Sequence, residues 1–102
     1  SNAPLIITPA LIINHTSEIY GFSREDLIGA SRRRPLVTAR QVSMYVFREL
    51  TDLSYPAIGR EFGDRDHTTV IHAVEKITRL MAERREIYDQ VSTLTSNIRS
   101  GN

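Results

Sequence analysis

The sequence predicts an all-α fold, on three observations. Apolar residues recur at intervals of three and four in several stretches, the period of an amphipathic helix. Most of these stretches begin behind a residue suited to capping a helix, and several stop at glycine. No segment sustains the two-residue alternation of a half-buried strand.

The elements follow in order. Thr8-Pro9 reads as an N-cap with proline at the first helical position, and the pattern runs to about Tyr20 before Gly21. Ser23-Arg24-Glu25-Asp26 has capping-box spacing and opens a short helix through Leu27 and Ile28. Gly29 to Val37 holds glycine, serine, three arginines and Pro35, and is predicted to be a loop. Thr38-Ala39-Arg40-Gln41 is a second capping box. Val42, Val46 and Leu50 recur behind it, so a helix is expected from about Ala39 to Asp52. Ser54-Tyr55-Pro56 starts a short helix that carries Ile58 and Phe62 and ends at Gly63. Asp66 caps the next, whose apolar stripe is Val70, Val74, Ile77 and Met81. The charged run Glu83-Arg84-Arg85-Glu86 marks a break or bend. Ile87, Val91, Leu94 and Ile98 then define a last helix, ended by Gly101.

The chain of 102 residues is the size of one domain. Ser1-Asn2-Ala3 resembles the scar left by removal of an expression tag, so the domain is taken as residues 4–102. With no cysteine there is neither a disulfide framework nor a thiolate metal site. No signal peptide and no bilayer-length apolar run is visible, which makes a cytoplasmic location the expectation. A net charge of +1 says little until it is located. Between Leu27 and Arg48 stand five arginines (Arg32, Arg33, Arg34, Arg40 and Arg48) and no acid. A basic block on a near-neutral domain points to a polyanion bound at one face, although a run of three arginines is also compatible with a solvated loop. Arginine suits bidentate phosphate or guanine contacts.

The segment GDRDHTTVIHAVEKI, residues 63–77, concentrates polar groups on the first turn of an apolar helix. At 100° per residue, Arg65, Thr68, Thr69, His72, Lys76 and Arg79 lie roughly opposite the apolar stripe. Short hydroxyls come first, then a histidine, then cations. That order fits a helix entering a DNA major groove by its N-terminus: a threonine methyl packs on thymine and its hydroxyl bonds a base edge. Asp66 caps the helix and can accept from a cytosine amino group, while Lys76 and Arg79 fall where phosphates run. His67 turns toward the apolar side and is expected to be partly structural. A short helix, a glycine turn and a second helix is the helix-turn-helix layout. Ser54, Tyr55 and Pro56 begin its first helix, whose free N–H groups suit a phosphate.

Other chemistry fits less well. His67 and His72 are five apart and diverge by about 140° on a helix, so with Asp64 and Asp66 they make a poor metal set. No P-loop or G-x-G-x-x-G occurs, and no nucleophile has a partner at a useful spacing. A protein-interaction module remains a second class, through the last amphipathic helix. A transcriptional regulator with the same motif is a third, which would bind a palindrome as a dimer.

GDRDHTTVIHAVEKI closely resembles the signature of the C-terminal domain of the bacterial DnaA replication-initiator family. The resemblance extends over SRRRPLVTARQ, the helix through REL, SYPAIGREFG and the C-terminal helices. It implies binding of double-stranded DnaA boxes at the chromosomal origin by a monomeric, nucleoid-associated domain. By motif position, RDHTT reads the major groove through Arg65, Asp66, His67, Thr68 and Thr69. Arg32, with Arg33 and Arg34 in the same run, supplies the minor-groove arginine. Arg40, Gln41, Arg48, Pro56, His72 and Lys76 match DNA-contacting positions. Asp64 departs from the family's common glycine, and Val37-Thr38-Ala39-Arg40-Gln41 lacks an arginine and a proline of the usual A-R-P-R-Q. The resemblance implies no cofactor and no catalysis for this domain. ATP belongs to an AAA+ domain of the full-length family protein.

Overall fold

The computed structural model describes residues 6–101, so the tag-like Ser1-Asn2-Ala3 lies outside the described residues. Six helices follow one another: α1 Pro9–Tyr20, α2 Arg24–Ile28, α3 Arg34–Leu50, α4 Tyr55–Glu61, α5 His67–Glu83 and α6 Arg85–Arg99. Among the described residues there is no strand, and no helix is long and apolar enough to cross a membrane.

Four of the helices start as their local chemistry dictates. Thr8, Ser23, Ser54 and Asp66 are extended N-caps whose side chains accept from backbone N–H groups of the first turn. At the other end of α1, Gly21 adopts the left-handed conformation and its N–H closes on the Ser17 carbonyl. The expected break after Glu83 is a single extended residue, Arg84, which ends α5 and begins α6.

The start of α3 differs from the expectation. It begins at Arg34, not near Ala39, with Arg33 as an N-cap that makes no side-chain cap bond. Pro35 stands in the first turn, where the missing N–H costs nothing. Leu36, fully buried, anchors that turn to the core. Thr38 is therefore a helical residue and no cap. The basic loop shortens to the residues before Arg34, leaving Arg32 in the loop, Arg33 at the cap and Arg34 on the helix.

Helix α3 packs against all five others and forms the axis of the domain. Its Phe47 meets Phe62, just past α4, edge to face at 5.4 Å. Both are fully buried, with Ile12, Leu27, Ile58, Ile77, Leu94 and Ile98. Each such side chain contributes about 1.5–3 kcal/mol relative to exposure. A small polar cluster lies inside: Thr16 Oγ1 donates to the Ile12 carbonyl at 2.7 Å and meets Ser43 Oγ at 3.1 Å. The inner stripe of α5 is narrower than expected. Val70, Ala73 and Ile77 are buried, whereas Val74 and Met81 are half-buried.

Candidate nucleic-acid interface

The α4–α5 unit is held by its turn. Gly59 is buried in α4 and its carbonyl accepts from Phe62 N at 3.1 Å and Arg65 N at 2.9 Å. A Cβ at Gly59 would stand 2.1 Å from the Arg65 carbonyl, so no larger residue lets the turn close this tightly. Two successive residues then take positive φ, Gly63 at 72° and Asp64 at 58°. Glycine does this freely, while Asp64 carries some strain.

Past the turn, the first turn of α5 is presented to solvent. Asp66, His67, Thr68, Thr69 and His72 are all exposed, opposite buried Val70 and Ala73. One carboxylate oxygen organises Asp66, His67 and Thr68. Asp66 Oδ1 accepts from Thr68 N at 2.8 Å and from Thr68 Oγ1 at 2.9 Å, and His67 Nδ1 is 3.1 Å away. These contacts hold the Asp66 carboxyl below its usual range, the Thr68 backbone bond most strongly and the Thr68 hydroxyl next. The Thr68 hydroxyl proton is thus committed to the cap, whereas no bond engages the Thr69 hydroxyl among the described residues. The structural role expected for His67 takes a different form: its side chain is 54% exposed and touches the cap rather than the core.

Two of the arginines grouped with the DNA contacts have another task. Arg40 is only 5% exposed. Its Nε donates to the Leu27 carbonyl at 2.8 Å, Nη1 to Ser31 at 3.0 Å and Nη2 to Asp26 at 3.2 Å. Arg65, part-buried, donates from Nη1 to Phe62 at 2.6 Å and Ile28 at 3.3 Å, and from Nη2 to Gly29 at 2.6 Å. The C-terminal carbonyls of α2 need donors, and two guanidinium forks supply them. Burial, more than the neighbouring Arg65 charge, lowers the Arg40 pKa, and burial does the same to Arg65. Both stay protonated at any working pH. Arg40 and Arg65 therefore fix the base of the arginine loop to the helix-turn-helix turn. Neither presents a free guanidinium to solvent.

Around them, Arg32, Arg33 and Arg34 are exposed, as are Lys76 and Arg79 on α5. Arg33 lies 6.0 Å from the Phe22 ring, a long cation–π contact. Arg48 is exposed but stacked 4.3 Å over Tyr55, with a bond of 3.5 Å to the Leu53 carbonyl. That stacking fixes one guanidinium beside the start of α4. The start of α4 itself offers less than expected, because Ser54 Oγ already caps Ala57 N and Pro56 has no N–H. Gln41 is half-buried, with its Oε1 buried and without a hydrogen-bond partner, so it faces inward rather than outward. Asp64, Asp66, His67 and His72 form no metal-holding group among the described residues.

Sequence reasoning missed Gly59, although a glycine inside a helix is a mark of close approach. It also passed over Arg84 as a mere break.

An all-α domain whose two consecutive helices meet at a tight turn, the second presenting a polar first turn, is a helix-turn-helix domain. The family described as the bacterial dnaA protein helix-turn-helix matches residues 9–77. The chromosomal replication initiator protein DnaA of Cutibacterium acnes is 55% identical over 93 residues, 91% of this chain and 19% of the relative. The proteins of the same name from Clavibacter sepedonicus and Clavibacter michiganensis are each 55% identical over 94 residues, 92% of this chain and 20% of theirs. The chain belongs to the bacterial DnaA helix-turn-helix family, and it spans about a fifth of the length of these relatives.

Proposed function

We propose that the domain binds double-stranded DNA at DnaA boxes, with the first turn of α5 in the major groove and Arg32 in the adjacent minor groove. One observation carries the reading: Asp66, Thr68, Thr69 and His72 share an exposed face over a buried stripe, at the N-terminus of a helix braced by α4. In the major groove Thr69 offers a methyl and an uncommitted hydroxyl to base edges, and His72 reaches one turn further. Asp66 keeps Oδ2 available to a cytosine amino group while Oδ1 holds the cap. Arg48, steadied on Tyr55, meets a backbone phosphate beside Pro56. Arg40 and Arg65 act indirectly, by setting where the loop leaves α2.

The domain acts as a monomer, since a helix in one groove and an arginine in the next already define an asymmetric site. It does no chemistry on the DNA. Any ATP-dependent step belongs to other parts of the longer family proteins. A mobility-shift titration with a duplex carrying a DnaA box, against a scrambled duplex, tests the reading over a range of salt. With roughly five to eight phosphate contacts, log K should fall by about 0.9 per contact for each tenfold rise in salt. Equal affinity for both duplexes, or salt-independent binding, would overturn it.

A further inference from the structure

Between the start of α3 and the second half of α5 runs a cleft of about 570 Å³, within the ~300–1,000 Å³ range of ligand-holding sites. Five cations line it: Arg32 from the loop, Arg34 from α3, Lys76 and Arg79 from α5, and Arg84 from the α5–α6 junction. A single carboxylate, Glu83, shares it. The ion pairs among the described residues are His67–Asp66 and Arg85–Asp89, so none of the five cations is neutralised by an acid. All five are exposed. Solvated surface arginines ordinarily disperse, because like charges repel. Here four separate segments bring them to one concave surface, where the field of each adds to the others.

We infer that this cleft seats the sugar-phosphate backbone flanking the minor groove that Arg32 enters, extending the footprint beyond the bases read by α5. The inference rests on the DNA-binding reading above. Arg32 belongs to both sites, so placing its guanidinium in a minor groove brings the mouth of the cleft against one backbone wall of that groove. Arg34 and Lys76 meet the wall first. Arg79 and Arg84 hold the next phosphates along the strand. Val37, Leu80 and Ile87 also line the cleft and carry no hydrogen-bonding side chain, and Thr38 adds a single hydroxyl that suits a phosphate oxygen. Contacts of this kind position a duplex and carry no sequence information.

The test uses the whole chain and a double variant, Arg79→Ser with Arg84→Ser. Both side chains are exposed, and circular dichroism checks that the helices persist. With a long box-bearing duplex, the variant should bind about tenfold more weakly, and its log–log salt slope should be shallower by about 2. The ratio of box to scrambled affinity should stay that of the parent. Trimming the duplex on the Arg32 side should bring the parent down to the variant's affinity, and Arg84→Glu alone should weaken the long duplex further than Arg84→Ser. If the double variant matches the parent in affinity and slope while the parent still prefers the box, the cleft holds no backbone and the major-groove reading stands. A variant that loses box preference would show these arginines reading bases, which also overturns the inference. A parent without box preference or salt dependence removes both proposals together.

Discussion

Arg40 and Arg65 grip one short stretch of backbone from two sides, Arg40 Nε at 2.8 Å from the Leu27 carbonyl and Arg65 Nη2 at 2.6 Å from that of Gly29. The loop that carries Arg32 therefore leaves α2 from a fixed point, and that point is tied to the turn before α5.

Removing the clamp should cost stability first. Arg40→Ala deletes three hydrogen bonds from a charged donor and strips the Leu27 carbonyl of α2 and the Ser31 carbonyl of the loop of that donor. The expected loss is about 2–3 kcal/mol by urea unfolding. Arg40→Lys should recover less than half of it, because one ammonium does not reproduce a planar fork. An Arg40→Ala protein with the parent's unfolding midpoint but weak DNA binding would assign Arg40 to phosphate instead.

Thr68 and Thr69 should separate. Thr69→Ala is expected to lower affinity for the box by about 1–3 kcal/mol, with little change for scrambled DNA and none in stability. Thr68→Ala should additionally loosen the Asp66 cap, which its hydroxyl supports at 2.9 Å. Thermal unfolding beside the binding assay distinguishes them. Equal unfolding temperatures for both variants would contradict the division.

The turn should respond in opposite senses at two positions. Gly59→Ala forces a contact of 2.1 Å with backbone and should destabilise the domain by several kcal/mol or prevent folding. Asp64→Gly relieves a positive φ of 58° and should stabilise by up to about 1 kcal/mol. A melting temperature that falls in Asp64→Gly would show the aspartate making a compensating contact.

Acid should act on the tip at a low pH. The Asp66 carboxyl is held below its ordinary 3.8 in the folded state, so its capping contribution is present above the unfolded value. It disappears only as the pH falls through the lower folded one. The Thr68 amide resonance reports this directly in an NMR titration. A midpoint at or above 3.8 would mean that the cap does not hold in solution.

Arg32 should sense groove shape. An A·T-rich minor groove is narrow and concentrates negative potential, which favours a weakly hydrated guanidinium. Arg32→Lys should therefore weaken binding to a box with an A·T-rich flank much more than to one with a G·C-rich flank. Arg33→Lys, at the α3 cap beside Phe22, should change little on either. Equal tolerance of lysine at Arg32, Arg33 and Arg34 would reduce the loop to a general phosphate contact.

What the sequence made legible follows how local each interaction is. The caps at Thr8, Ser23, Ser54 and Asp66 act within three residues, and each was readable as a short pattern. The same grammar misled at Thr38, where capping-box spacing falls inside a helix. Burial of Leu36 and the tolerance of Pro35 in a first turn outweighed it. The exposed tip was legible because periodicity alone separates Thr69 from Val70. Arg40 and Arg65 were not, because the carbonyls they serve have no letter in the sequence. A guanidinium at a family contact position looks the same whether it meets a phosphate or a helix end. The cleft around Arg84 was hidden for a related reason: its cations are far apart in the chain and meet only through the packing of α3 on α5.

The contact of α1 with α6 also bears on how the chain comes into being. Tyr20 Oη donates to Gln90 Oε1 at 2.7 Å, and α1 packs on α3 and α6. The α4–α5 pair closes over a few neighbouring residues and is available to form as soon as it leaves the ribosome. Helix α1, synthesised first of the six, meets α2 and α3 early but waits for α6 before the cover of its apolar side is complete. Loop closure of that length slows folding more than it weakens the folded state. Completion of the domain thus awaits its last helix, and both α1 and α5 rest on α3 before α6 arrives.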